Sequence, residues 1–122
     1  MVELMRWSGL IALAMLVPAS PAFAHAFLER ASPPVGSELA ASPAEIVITF
    51  TEGVEPLFST IEVHGASGAT VSAGAPHLVS GDNRQLSIAM PKLPSGTYTV
   101  IWHATSVDTH KTEGNYQFTI TH

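Results

Sequence analysis

Apolar residues recur at every second position in one stretch after another of this chain, and that period decides its class. Ile46, Ile48 and Phe50 alternate with Val47 and Thr49, Ile61 and Val63 flank Glu62, and Leu86, Ile88 and Met90 run up to Pro91. Near the C-terminus Tyr116, Phe118 and Ile120 alternate with Asn115, Gln117, Thr119 and Thr121. A period of two places one set of side chains on one face of an extended strand. Turn-forming clusters separate the stretches: Ser32-Pro33-Pro34 with Gly36, Gly65 through Gly68, and Gly81-Asp82-Asn83. No segment sustains the apolar spacing of a helix. About seven short strands broken by turns predict an all-β fold, an antiparallel β-sandwich with immunoglobulin-like Greek-key topology. In Leu93-Pro94-Ser95-Gly96-Thr97-Tyr98 a turn delivers Tyr98 to the start of a strand on which Tyr98, Val100, Trp102 and Ala104 share a face. That arrangement predicts a tyrosine corner, with Trp102 in the core.

The N-terminus obeys different rules. Arg6 supplies a positive charge, Trp7 to Val17 is apolar apart from Ser8 and Gly9, Pro18 breaks the run, and Ala22-Phe23-Ala24 offers small residues where a signal peptidase needs them. The apolar run covers only about half of the roughly 20 residues that a membrane span requires. Residues 1–24 are therefore expected to be a secretory signal cleaved after Ala24, and residues 25–122 one exported domain, with neither an internal repeat nor a second-domain boundary. The chain has no cysteine, which excludes disulfide scaffolds, thiolate metal sites and cysteine nucleophiles. A formal charge of −5 with five Lys and Arg argues against nucleic acid as a partner.

Chemistry then concentrates on histidine. All six histidines lie beyond residue 24, and His25 would be the first residue of the processed chain. A terminal histidine carries an α-amine beside its own imidazole, and the two nitrogens can grip one ion as a chelate. Such an amine titrates near 8 and an imidazole near about 6.5, so both become ligands at neutral pH at little proton cost. Asp108 and His110 are two residues apart, and on an extended segment they project to the same side, where both could reach one ion.

Taken together, His25, Leu28, Ser32-Pro33-Pro34, Gly36-Ser37, Phe50-Thr51-Glu52, Phe58, Gly96-Thr97-Tyr98-Thr99-Val100-Ile101-Trp102, Ser106-Val107-Asp108-Thr109-His110 and Gly114-Asn115-Tyr116-Gln117-Phe118 resemble the CopC family of periplasmic copper-binding proteins. The resemblance spans essentially all of residues 25–122. It implies a β-sandwich that holds copper(II) through the terminal amine and imidazole of His25, with Asp108 and His110, and it places Glu52 close to that site. A nitrogen and oxygen ligand set favours copper(II) in the Irving–Williams order, with zinc as the competitor; calcium would need more oxygen ligands. Some relatives add a methionine-rich copper(I) loop, but residues 62–75 contain no methionine and Met90 alone sits on a core face, so no such site is expected. Phe27 stands where some relatives carry a second histidine. His64 and His77 read as solvated loop residues, His103 as exposed on the face opposite Trp102, and His122 as the frayed end.

The expected function is sequestration of copper in the periplasm by a monomer that catalyses no reaction and either buffers the ion or passes it to an inner-membrane copper transporter. Two other readings stand beside it: a histidine-brace copper monooxygenase, and a metal-free sandwich serving as an interaction module. A domain of this size leaves little room for the broad aromatic surface of such an enzyme.

Overall fold

The alternating stretches do become strands. The computed structural model describes residues 25–122, and the expected signal peptide, residues 1–24, lies outside them. Nine strands are formed: β1 (Leu28–Ser32), β2 (Glu38–Leu39), β3 (Glu45–Phe50), β4 (Thr60–His64), β5 (Thr70–Gly74), β6 (His77–Val79), β7 (Asp82–Ala89), β8 (Gly96–Thr105) and β9 (Lys111–Ile120). A 3-10 turn, Pro56–Phe58, sits between β3 and β4. The count exceeds the expected seven because β2 and β6 have only two and three residues, too few for a period to register. Among the described residues no helix is long and apolar enough to cross a membrane.

The strands form two layers, a four-stranded sheet in the order β1-β3-β7-β6 and a five-stranded sheet in the order β2-β9-β8-β4-β5. Only β4–β5, β6–β7 and β8–β9 are sequence neighbours paired in one sheet; every other connection carries the chain to the opposite layer. One pairing departs from the antiparallel expectation. β2 runs parallel to β9, with Glu38 opposite Thr119 and Leu39 opposite Ile120. The segment after β1 crosses to the second sheet and is caught there by main-chain bonds, from Gly36 N–H to the Gln117 carbonyl (2.7 Å) and from Thr119 N–H to the Ser37 carbonyl (2.9 Å).

The core is built from the alternating residues. Ile46, Ile48, Phe50, Ile61, Val63, Leu86, Ile88, Tyr98, Val100, Trp102, Ala104, Tyr116, Phe118 and Ile120 are all buried, and Met90 packs against them. The Phe50 and Trp102 rings meet edge to face, 5.2 Å between centroids. Trp102 lies opposite Gly114 on β9, where a Cβ would stand 2.5 Å from the indole Cζ2. Only glycine lets the indole lie against β9. The tyrosine corner is present: the Tyr98 hydroxyl donates to the Pro94 carbonyl at 2.7 Å. Tyr116 is buried as deeply, but its hydroxyl finds no partner, and burial pushes its phenol above the ordinary value.

Candidate metal centre

The site forms at one end of the sandwich, where the β8–β9 hairpin, the β3–β4 connection and the start of the domain meet. β8 and β9 pair in unbroken register from Gly96 opposite Ile120 to Thr105 opposite Lys111, which leaves Ser106 to His110 to close the hairpin. This segment is a tight turn and not the extended stretch that the sequence suggested. Thr109 N–H donates to the Ser106 carbonyl (2.8 Å), and Ser106 N–H donates to the His110 carbonyl (2.9 Å). Thr109 takes φ +75°, a left-handed conformation uncommon for a β-branched residue. Asp108 and His110 converge all the same, because the turn folds them around the buried Ser106. The Ser106 hydroxyl donates to Asp108 Oδ1, and His110 N–H donates back to Ser106 Oγ at 3.2 Å.

His110 Nδ1 lies 3.3 Å from Asp108 Oδ1. A divalent first-row metal makes bonds of about 2.0–2.2 Å to such atoms, so two ligands on one ion stand about 3 Å apart at a right angle and about 3.4 Å apart at a tetrahedral one. The pair is spaced for a shared ion. The Ser106 hydroxyl, with His110 as a further contributor, holds the Asp108 carboxyl below its ordinary value, so it is a carboxylate throughout the neutral range.

His25 is brought to the same place by hydroxyls far away in sequence. The Thr51 hydroxyl donates to the His25 carbonyl (3.1 Å) and accepts from Phe27 N–H (3.0 Å), while Thr51 N–H donates to the Phe27 carbonyl (2.8 Å). On the other side the Thr112 hydroxyl donates to the Ala26 carbonyl at 2.5 Å. Ala26 is completely buried between these two holds. The result sets the His25 ring 4.7 Å from the His110 ring, centroid to centroid. Glu52 is exposed and sits between Thr51, which grips His25, and Gly53, whose carbonyl accepts Val107 N–H at 3.0 Å. Among the described residues no three His, Asp or Glu side chains form a set able to hold an ion by themselves. The side chains come as close pairs, and a chelate at His25 would need its α-nitrogen as an amine, which requires removal of residue 24.

Other histidines are less idle than the sequence suggested. His64 is not in a loop; it ends β4, half-buried, with Nε2 2.9 Å from Glu62 Oε1 and 3.4 Å from Thr70 Oγ1. It therefore repeats the acid-x-His spacing of the turn. His77 opens β6 and is exposed. His103 is exposed on the outer face of β8, as expected, but its Nε2 lies 3.1 Å from Glu113 Oε1 on β9. That contact crosses two strands, so no local spacing could reveal it.

Comparison with known proteins bears on the domain as a whole. The CopC domain model matches residues 28–121. The chain is 36% identical over 118 residues to copper resistance protein C of Pseudomonas syringae pv. tomato, covering 91% of each. It is 31% identical over 116 residues to the copper transport protein CutJ of Bacillus subtilis, covering 94% of this chain and 21% of that much longer one. Among solved structures, CopC from Methylosinus trichosporium OB3b superposes with a TM-score of 0.76 at 36% identity, covering 80% of this chain and 94% of that one. Sequence, sandwich and relatives agree over nearly every described residue, and the chain is a copper-binding protein that belongs to the CopC family.

Proposed function

We propose that this protein holds copper(II) between the amine and imidazole of His25, the carboxylate of Asp108 and the imidazole of His110, and that it does so in the periplasm after removal of residues 1–24. The observation that carries this reading is the convergence of the three residues: the His25 and His110 rings are 4.7 Å apart, and the Asp108 carboxylate is 3.3 Å from His110. Three nitrogens and one ionised oxygen suit the tetragonal preference of copper(II) and stand high in the Irving–Williams order. Glu52, next in sequence to the Thr51 that grips His25, would contribute negative charge outside the ligand shell.

The protein acts as a carrier rather than an enzyme, and as a monomer. In support, Tyr98, Trp102, Tyr116 and Phe118 are spent on the core instead of forming an aromatic surface for a substrate. Copper passes to an inner-membrane transporter. CutJ supports this step, since a region like this chain makes up about a fifth of a protein named for copper transport. Spin-resonance spectra of copper(II) bound to protein beginning at His25 test the ligand set. A coupling pattern from at least two nitrogens is expected, and fewer than two overturns it.

A further inference from the structure

An open cleft of about 660 Å³ lies beside the proposed centre, walled by His25, Phe27, Phe58, His103, Lys111 and Glu113. Two of these residues form a unit that copper capture at His25 does not use. His103 and Glu113 face each other directly across β8 and β9, and His103 Nε2 lies 3.1 Å from Glu113 Oε1. The other ring nitrogen is held as well: Thr60, opposite His103 on β4, brings its hydroxyl to 3.5 Å from Nδ1. A histidine whose far nitrogen is tied to a neighbour has its near nitrogen oriented, which is how metal-ligating imidazoles are usually supported.

We propose that His103 and Glu113 form a second, weaker copper(II) position on the wall of this cleft. Their 3.1 Å separation falls between the distances that two ligands of one ion adopt at right-angled and tetrahedral geometry, about 3 and 3.4 Å for bonds of about 2.0–2.2 Å. A copper ion would sit between Nε2 and Oε1, and water would complete its coordination. Both side chains are more than half exposed, so the ion can enter without any rearrangement of the fold. With only two protein ligands and the Lys111 ammonium in the same cleft, the position is the weaker of the two and exchanges readily. The similar pair at Glu62 and His64 is a poorer candidate, since its imidazole is half-buried and its Nε2 is shared with the Thr70 hydroxyl.

The position does not depend on the ligand set at His25, and the test separates them. Protein beginning at His25 is titrated with copper(II) chloride in a non-coordinating buffer and followed by spin resonance and calorimetry. A tight equivalent and a second, weaker one are expected. His103→Ala and Glu113→Gln should each weaken the second equivalent at least about 10-fold and leave the first unchanged. A glycine added before His25 should spare the second equivalent even as the first collapses. The inference is overturned if no second equivalent binds, if it survives His103→Ala, or if it is lost in His64→Ala instead. Loss of both equivalents in His103→Ala would also overturn it. Survival of the tight equivalent in the glycine-extended protein would count against the proposed ligand set at His25 alone.

Discussion

Two segments of this protein carry the same three-residue pattern, an acid and a histidine with one residue between, and they make different use of it. Glu62-Val63-His64 lies on β4, where alternation alone puts both side chains on the outer face, 2.9 Å apart. Asp108-Thr109-His110 lies in a turn, where a buried serine and a left-handed threonine are needed to bring the pair to 3.3 Å. The easier geometry is the one with only a threonine hydroxyl, and no second imidazole, as its third partner. What distinguishes the turn is His25, carried to it by Thr51 and Thr112. A close pair of ligands is common on a β surface; a site arises where a second segment is fastened beside it.

The contrast can be broken in several ways. The largest effect should come from adding one glycine before His25. This converts the amine to an amide and should weaken copper(II) binding by more than about 100-fold, beyond the range typical of outer-shell losses, with an unchanged circular dichroism spectrum. Next, Asp108→Asn should weaken binding by about 10- to 100-fold, whereas Glu62→Gln should leave the tight equivalent unaffected. Competition titration against a chelator of known affinity measures both. The pH dependence sharpens this further. Because Ser106 and His110 hold the Asp108 carboxyl below its ordinary 3.8, it stays charged as the pH falls toward that value, and only below it is its charge lost. Release of copper on mild acidification therefore follows protonation of nitrogens. Asp108→Asn should lower affinity at every pH above 4 without moving the midpoint of release by its own titration.

A smaller effect is expected from Thr51→Val, which deletes the hydroxyl joining the His25 carbonyl and the Phe27 N–H. The loss of roughly 1 kcal/mol from such a bond corresponds to about a 5-fold drop in copper affinity, together with faster amide exchange at Phe27. The smallest should be His64→Gln. A partly exposed pair such as Glu62 and His64 contributes about 0–1 kcal/mol, so the thermal midpoint should move by only a few degrees and the tight copper equivalent not at all.

Some of this was legible in the residues. Ile46, Ile48 and Phe50, or Tyr116, Phe118 and Ile120, announce their strands because a half-buried sheet face imposes a period of two. Tyr98 announces its corner because a turn and a strand start fall in the right order. The three proposed ligands lie close together, but Asp108 and His110 converge through a turn and not through an extended segment, and Thr109 hides that turn, since a β-branched residue is not a signal for positive φ. β2 left no trace because its two residues are recruited by β9 main chain rather than by any side-chain pattern. Gly114 looks neutral in a strand and is in fact the space that the Trp102 ring needs. The threonines that seat His25 lie 26 and 86 residues from the positions they bind, and a hydroxyl in a strand says nothing about a partner that remote.

The complete burial of Ala26 carries one more consequence. A peptidase that cuts between residues 24 and 25 must hold the chain extended on both sides of the bond, and the finished sandwich withholds Ala26, its second residue beyond the cut. Under the proposed processing, the leader must leave before β9 and the end of β3 close over that alanine. On that proposal cleavage precedes folding, and the amine would be made on a chain that has not yet folded. By the same proposal, a molecule that folded before cleavage would keep residue 24 and lack the nitrogen with which its siblings take up copper.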